Sequence, residues 1–394
     1  MLPLNGVRVL AVEQYGAGPF GTMFLADQGA EVIKIENPNT GGDFAREVGP
    51  YFFTPEDSEF FHAYNRNKKS LGLDLGTADG KAVLHDLVRS ADALASNLRG
   101  DVPARLGLTY DALASVNPKI VCAHLSAYGR EGSRASWPGF DYLMQAEAGY
   151  FSLTGEPGGP PARFGLSIVD LMTGLALAYA LLAGLTAARA SGRGRDMDVS
   201  LFDIALNNTN YLASWYLNAG HVQGREPRSA HPALVPCQLY TTADGWVFLM
   251  CNKEKFWPAL CEAIERPEWA GDPRYARFKD RLAHRDELTN MLDEVLSRRS
   301  TAQWMEVFAG VVPASPINDI RDALDNPFVT AQGRIQEIPR RDGSSLRLLA
   351  PPVTCTDPPP ARPAPDLGEH TDELLAGAGF SAGEIDALRG DGVI

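Results

Sequence analysis

Asp170 is the residue whose type and surroundings best suit covalent chemistry. It lies in the sequence Val-Asp-Leu-Met-Thr-Gly and is the one charged residue between Phe164 and Arg189. An apolar run of that length, rich in Ala and Leu, predicts a buried helix with Asp170 at or near its N-terminus. A carboxylate held in an apolar, Gly-rich pocket could act as a nucleophile. It could equally be a helix N-cap, a position that favours Asp. The residues around Asp170 alone do not distinguish these two roles.

A glycine-rich loop near the N-terminus is the second candidate for chemistry. The six residues from Gly16 to Gly21 read Gly-Ala-Gly-Pro-Phe-Gly, between β-rich runs at 7–13 and 30–36. They match Gly-x-Gly-x-x-Gly, and the acidic Glu36 follows Gly16 at the 20-residue spacing of a dinucleotide site. A helix-like segment is predicted at 22–28. Nicotinamide or flavin binding therefore stays open as an alternative.

Other reactive residue types give weaker patterns. His124 lies on an apolar strand and is interpreted as a core histidine, and Ser167 lacks the Gly-x-Ser-x-Gly elbow of hydrolases. The five cysteines and seven histidines show no metal-ligand spacing, so no metal is expected. The basic run at 66–69 fits either a solvated turn or a phosphate contact.

Strands alternating with helices up to residue 128 predict a doubly wound α/β sheet that binds ligands at the carboxyl ends of its strands. A hairpin around Asp244-Gly245 and the amphipathic helices after it indicate a smaller α+β domain. The expected domains are 1–222 (large, Rossmann-like), 223–325 (small) and 326–394 (a C-terminal segment returning to the large domain). Residues 358–365 are predicted to form a stiff Pro-rich connector.

The bulk composition limits the partners. A net charge of −13 and a pI near 5.1 argue against nucleic acid or an anionic membrane surface. The N-terminal residues show no signal peptide, and the long apolar segment is broken by Gly and polar residues, so a cytoplasmic protein without a membrane span is expected.

Several stretches together resemble the family III CoA-transferases, and they stand in that family's order from end to end. They are Leu-Asn-Gly-Val-Arg-Val-Leu from Leu4 with Ala-Gly-Pro from Ala17; Gly-Ala-Glu-Val-Ile-Lys-Ile-Glu-Asn-Pro from Gly29 with Gly42-Asp43 and Arg46; Asn-Lys-Lys-Ser from Asn67; Gly174 with Ser-Gly-Arg-Gly from Ser191; and Leu-Gly-Glu-His-Thr-Asp-Glu from Leu367.

The resemblance implies that Asp170 is the family's aspartate nucleophile. It implies a fold with a Rossmann-like large domain and a small α+β domain, two chains interlocking as a homodimer, and coenzyme A as a substrate rather than a bound cofactor. By position, the implied CoA site comprises Gly16, Ala17, Leu73, Asp74, Leu75, Asn97, Leu98, Arg99, Arg105 and Phe140.

The expected activity is CoA transfer from an acyl-CoA to a carboxylic acid. Succinyl-CoA and a dicarboxylate are the expected donor and acceptor, because Arg46 and Arg163 could bind a distal carboxylate, although both could instead pair with local acids. Related racemases have a catalytic His where this chain has Phe140, and formyl-CoA transferase has Gln where it has Gly16. The alternatives are 2-methylacyl-CoA racemisation, a nicotinamide or flavin oxidoreductase, and a non-enzymatic CoA-binding protein.

Overall fold

The computed structural model describes residues 2–55, 57–356 and 360–394. These form two compact units, the first made of Met1–Ala148, Phe164–Ser214 and Gly333–Ile394, the second of Gly149–Arg163 and Trp215–Gln332. Residues 358 and 359 of the predicted Pro-rich connector lie outside the described residues.

The elements follow one another along the chain, apart from short 3₁₀ turns. Up to residue 208 they are β1 (Arg8–Val12), α1 (Ala17–Asp27), β2 (Glu31–Glu36), β3 (Phe52–Thr54), β4 (Asp57–Ser58), α2 (Glu59–Asn65), β5 (Lys69–Gly72), α3 (Ala78–Val88), β6 (Ala93–Ser96), α4 (Val102–Leu106), α5 (Tyr110–Leu113), β7 (Val121–Ser126), α6 (Asp141–Glu147), α7 (Ile168–Ser191), β8 (Arg195–Ser200) and α8 (Leu201–Asn208). From 210 to 331 they are α9 (Asn210–Ala219), β9 (Cys237–Thr241), β10 (Trp246–Met250), α10 (Phe256–Ala263), α11 (Phe278–Ala283), α12 (Arg285–Leu296), α13 (Thr301–Phe308), β11 (Ala314–Pro316), α14 (Ile320–Leu324) and α15 (Pro327–Ala331). The last are β12 (Ile335–Pro339), β13 (Ser345–Leu349), α16 (Thr371–Gly377) and α17 (Ala382–Gly390).

A six-stranded parallel sheet forms the centre of the first unit, in the order β5-β2-β1-β6-β7-β8. Val9 of β1 lies opposite Val32 on one side and Ala93 on the other, and all three side chains are buried. Parallel strands covered by helices on both faces need such continuous apolar runs. The predicted α/β class is confirmed, and the strand order reverses between β1 and β6, where such sheets bind ligands.

Two elements differ from the sequence prediction. Helix α1 begins at Ala17 rather than at 22, so most of the predicted glycine loop is already helical. Strand β8, at the edge of the sheet, was not predicted, because its sequence Arg-Asp-Met-Asp-Val-Ser is charged and only its last residue is buried. An edge strand needs only one apolar side, so it lacks the apolar run of its neighbours.

The C-terminal segment completes the first unit. The His370 N–H donates to the Ser70 carbonyl at 2.9 Å, and the Asp74 N–H donates to the Val393 carbonyl at 2.8 Å. Leu375 of α16 is fully buried in the same apolar cluster as the strands. The return of this segment therefore covers the β5 edge of the sheet.

The second unit is built on a three-stranded antiparallel sheet, in the order β11-β10-β9. Its β9–β10 hairpin turns at Asp244-Gly245, as predicted, and its helices bury Trp257 and Phe308. The segment 149–163 belongs to this unit, whereas the predicted division placed it in the large domain. The Arg225 guanidinium explains this, because it donates to four carbonyls of that segment at 2.7–3.2 Å.

Helix α7 is long and apolar enough to cross a membrane by length and composition, with a mean hydropathy of 1.9 over its most apolar window. Half of that window is buried within the protein, and the core helix of a globular domain passes the same test, so one such helix is weak evidence for a span. Val169, Leu177 and Leu181 of α7 are buried in the first unit.

Candidate active site

Asp170 lies in the first turn of α7, as its third residue. The N-cap is Ser167, whose side chain makes no capping hydrogen bond, so the interpretation of Asp170 as the N-cap is wrong. A carboxylate in the first turn still benefits from the positive end of the helix dipole. Its oxygens are left available for other chemistry.

The capping is done by Asp141, which begins α6. One oxygen of its buried carboxylate accepts the Asp170 N–H at 2.9 Å, and the other accepts the Gln145 side-chain amide at 2.6 Å. Gln145 in turn donates to the Leu166 carbonyl and accepts the Phe164 N–H. Asp141 and Gln145 together fix the chain that leads into α7, and therefore the position of Asp170.

Two glycines let α1 and α7 cross at backbone contact. A Cβ on Gly21 would lie 2.2 Å from the Gly174 carbonyl oxygen, and one on Gly174 would lie 2.5 Å from the Ala17 carbonyl oxygen. Gly174 is one helical turn beyond Asp170, so this crossing brings the carboxylate to the start of α1. A Cβ on Gly16 would lie 3.2 Å from Asp170 Oδ2.

The start of α1 offers hydrogen-bond donors near this carboxylate. Pro19 has no N–H, and the Phe20 N–H donates to the Gly16 carbonyl at 2.8 Å. The N–H groups of Ala17 and Gly18 make no hydrogen bond with any residue that the structure describes. A helix N-terminus with free N–H groups suits an anion.

Burial is the main electrostatic influence on Asp170. Burial, with a smaller contribution from the neighbouring Asp141 charge, raises the pKa of this carboxyl to about 7. Burial and the Asp170 charge also raise the pKa values of Tyr15 and Tyr64. Aromatic contacts link these tyrosines through Phe60, whose ring centroid is 5.1 Å from that of Tyr15 and 5.0 Å from that of Tyr64. Aromatic side chains therefore lie on the side of the site where Tyr15 and Tyr64 interact with the Asp170 carboxylate.

Seven of the ten predicted CoA-site residues follow the ends of three strands of one sheet. Gly16 and Ala17 follow β1, and Asn97 follows the adjacent β6. The Asn97 side chain accepts the Gln14 N–H at 2.9 Å and donates to the Gln14 carbonyl at 2.6 Å. A Cβ on Gly18 would lie 2.8 Å from Asn97 Cβ. These residues therefore meet at the position where the strand order reverses, with Leu98 next in the chain.

Leu73, Asp74 and Leu75 follow β5, two strands away from β1. Leu73 and Leu75 are 1% and 7% exposed and belong to the apolar core. The structure gives their side chains a packing role, and any ligand contact there would involve the backbone or Asp74.

The remaining three CoA-site residues are exposed. Arg99 forms a bidentate pair with Asp101 at 2.5 and 2.9 Å, so its guanidinium is already engaged. The Arg105 side chain, in α4, makes no ion pair or hydrogen bond with any residue that the structure describes. Phe140 precedes α6 and is 65% exposed. Arg105 is thus better placed than Arg99 to meet a phosphate.

The suggestion that Arg46 binds a distal carboxylate is not supported. Its guanidinium donates to both Glu36 oxygens at 2.9 and 2.7 Å and stacks on Phe61, with 3.8 Å to the ring centroid. It therefore serves as a local structural partner. Arg163 is exposed and belongs to the second unit, not to the first.

His124 is a satisfied core residue, as interpreted from the sequence. Its ring nitrogens lie 2.9 Å from Ser96 Oγ and 3.1 Å from Asp196 Oδ1. The three side chains resemble a hydrolase triad, but Ser96 is 0% exposed and no substrate reaches it. Among the described residues, no group of three or more His, Cys, Asp and Glu side chains is arranged to hold a metal ion.

Sequence reasoning missed Asp141, Tyr15 and Tyr64. The N–H group that binds the Asp141 carboxylate belongs to Asp170, 29 residues away in the chain. Tyr15 has a φ of +67°, a left-handed conformation that its residue type does not predict. Spacing carries no sign of such long-range contacts.

Comparison with known proteins identifies the family of this chain. A sequence profile described as CoA-transferase family III matches residues 4–371. The chain is 36% identical over 390 residues to succinate–glutarate CoA-transferase of Agrobacterium fabrum, covering 95% of each chain. It is 34% identical over 374 residues to acetyl-CoA:oxalate CoA-transferase of Acetobacter aceti, covering 93% of this chain and 94% of the other.

A solved structure gives the same result for the fold. A CaiB/BaiF family protein from Brucella suis superposes with a TM-score of 0.81 at 30% identity, covering 96% of this chain and 99% of the other. The profile match spans nearly the whole chain, and the relatives match over nearly their whole length. The chain is an enzyme of CoA-transferase family III.

Proposed function

We propose that this enzyme transfers CoA from succinyl-CoA to a dicarboxylic acid, with Asp170 as the covalent nucleophile. The observation that carries the proposal is the Asp170 carboxylate, half-buried beside Gly16 at the N-terminus of α1 with a pKa raised to about 7. A more basic carboxylate is a better nucleophile once it is ionised. The relatives named above support the donor and acceptor classes.

The reaction proceeds by exchange of acyl bonds. Asp170 attacks the thioester carbonyl, the C–S bond breaks, and a mixed anhydride and CoA thiolate form. The thiolate then attacks the aspartyl carbonyl of the anhydride, which releases the donor acid and leaves an aspartyl-CoA thioester. The acceptor carboxylate attacks the carbonyl of that thioester, its C–S bond breaks, and a second mixed anhydride and CoA thiolate form. The thiolate then attacks the acceptor's acyl carbonyl in this anhydride, which gives the new acyl-CoA and releases the Asp170 carboxylate.

Each step passes through an oxyanion that needs stabilisation. The N–H groups of Ala17 and Gly18 are candidates, because they have no other partner among the described residues and lie at a helix N-terminus. Pre-placed donors in a dry pocket stabilise developing charge without reorganisation at the moment of reaction.

The proposal includes an interlocked homodimer in the cytoplasm, with CoA as substrate and no further cofactor. Support for a partner chain comes from Met172, Leu175, Tyr179 and Leu182, which recur on one side of α7 and are 38–74% exposed. Exposed apolar stripes of this kind mark protein interfaces. All five cysteines are free thiols, which suits a reducing compartment.

The test is a matrix of acyl-CoA donors against monocarboxylic and dicarboxylic acids, with the variants Asp170→Ala and Asp79→Asn. Wild-type protein and Asp79→Asn, which changes an exposed first-turn carboxylate of α3, should transfer CoA, and Asp170→Ala should not. Equal use of mono- and dicarboxylates of matched length would refute the acceptor class. Substantial transfer by pure Asp170→Ala would refute the nucleophile.

A further inference from the structure

The residues of the Gly42-Asp43-x-x-Arg46 sequence have no role in the CoA-transfer steps described above. Asp43 is 3% exposed, and its Oδ1 accepts two backbone N–H groups, from Ala45 at 2.9 Å and from Tyr15 at 2.8 Å. The bond to Ala45 is local capping of a 3₁₀ turn. The bond to Tyr15 reaches 28 residues back, into the segment that contacts the nucleophile.

Tyr15 has a backbone conformation that needs support. Its φ of +67° is in the left-handed region, which a residue with a Cβ adopts only at a cost. Gly16 follows it directly and lies against Asp170 Oδ2. If the Tyr15 N–H were released, the backbone would be free to leave this region, and Gly16 and the Ala17 N–H would move with it.

Asp43 is itself held by buried ionic groups. Lys34 Nζ lies 2.7 Å from Asp43 Oδ2, and both side chains are 0% exposed. The Asp43 N–H donates to Glu36 Oε2 at 3.0 Å, and Glu36 is clamped by Arg46. Gly42 is needed here, because a Cβ would lie 2.9 Å from Glu36 Oε2. The motif therefore builds a rigid acceptor for one backbone N–H.

We propose that Asp43 is a positioning residue for CoA transfer: it holds Tyr15 in its left-handed conformation and thereby keeps the start of α1 against Asp170. This inference rests on the proposed function for its kinetic consequence. It assigns the Gly-Asp-x-x-Arg motif to the geometry of the nucleophile rather than to binding of the substrate's carboxylate.

Two charge-balanced double variants distinguish the effect of the hydrogen-bond acceptor for the Tyr15 N–H from the effect of the Lys34–Asp43 ion pair. Asp43→Asn/Lys34→Met removes both charges but keeps a side-chain oxygen for the Tyr15 N–H. Asp43→Ala/Lys34→Met removes both charges and that oxygen. A matched control is Asp27→Asn/Arg66→Met, which removes a buried pair of the same unit with a 2.6 Å contact and leaves the Tyr15 segment untouched.

Loss of the Tyr15 hydrogen bond should lower kcat and leave KM nearly unchanged. The Ala/Met variant should have a kcat about 30-fold or more below that of the Asn/Met variant, since a displacement of about 1 Å can cost about 100-fold, while KM for acyl-CoA stays within about threefold. The Asp27/Arg66 control should lose stability but keep its kcat. Equal kcat values for the two Asp43 variants, with the wild type active, would overturn the proposal.

Amide hydrogen exchange gives a readout that does not depend on activity. The Tyr15 amide should be protected in the wild type and in the Asn/Met variant, and exchange rapidly in the Ala/Met variant. Should the Ala/Met variant not fold, rapid exchange of Tyr15 in the wild type or the Asn/Met variant would still overturn the proposal, and protection in both would support it. If the wild type transfers no CoA, the proposed function fails, and these exchange rates still decide the role of Asp43.

Discussion

Replacing Asp170 by Asn should stabilise the protein, and by more at pH 8 than at pH 5. The pKa of this carboxyl is raised from 3.8 to about 7 in the folded protein, chiefly by burial. The unfolded chain therefore loses this proton near pH 4 and the folded chain only near pH 7. The stability that the protonated Asp170 gives to the fold is fully present below the pKa of the unfolded chain. It is lost as the pH rises through the pKa of the folded protein.

The size of the effect follows from the pKa difference. Ionising Asp170 above pH 7 costs the fold about 4 kcal/mol, taking about 1.4 kcal/mol for each pKa unit. At pH 5 only the unfolded chain is ionised, and the cost is about 1.5 kcal/mol. The neutral Asn side chain avoids both costs, so its stabilising effect should grow by about 2.5 kcal/mol between pH 5 and pH 8.

Urea unfolding of wild type and Asp170→Asn at the two pH values measures this difference. Asp79→Asn is the matched control, because it makes the same change at an exposed first-turn position of α3. It should shift the free energy of unfolding by less than about 0.5 kcal/mol. An Asp170→Asn variant that is equally stabilised at both pH values, or destabilised at pH 8, would refute the account of a dehydrated carboxylate.

Three further predictions concern the same site. Gly174→Ala should place a methyl group 2.5 Å from the Ala17 carbonyl oxygen and so separate α1 from α7. The variant should lose about 1–3 kcal/mol of stability and have a lower kcat. Unchanged thermal unfolding and an unchanged kcat would contradict this. Asp141→Asn should move the acidic limb of the kcat/KM profile to lower pH, because one of the two causes that raise the pKa of Asp170 is removed; a limb that stays or rises would contradict it. Arg105→Ala should raise KM for acyl-CoA more than it lowers kcat, with the effect shrinking at high salt; the reverse pattern would remove Arg105 from the CoA site.

The parallel sheet was predictable because its strands are short apolar runs, such as β1 and β7, separated by helical spacing. The position of Asp170 near the start of α7 was predictable from a local pattern of the same kind, the apolar run that follows it. Strand β8 was missed because an edge strand needs no continuous apolar run. The start of α1 was misplaced because its glycines serve a helix crossing with Gly174, which no spacing rule shows.

The residues around the nucleophile were less predictable than the nucleophile itself. The Asp141 carboxylate meets Asp170 from 29 residues away, and Asp43 meets Tyr15 from 28 residues away. Arg46 was predicted to bind a substrate carboxylate because guanidinium groups bind carboxylates well, but its guanidinium is already paired with Glu36. A sequence shows which groups are able to pair, but only the folded structure shows which carboxylate lies within reach of a given guanidinium.

Trapping the covalent intermediate tests directly whether Asp170 is the nucleophile. Protein incubated with succinyl-CoA and no acceptor acid is quenched with hydroxylamine, digested and analysed by mass spectrometry. An aspartyl anhydride or aspartyl-CoA thioester would be converted to a hydroxamate at Asp170, and none should form in Asp170→Asn or without the acyl-CoA. Full CoA transfer without any modification of Asp170, or modification at another carboxylate alone, would contradict the account.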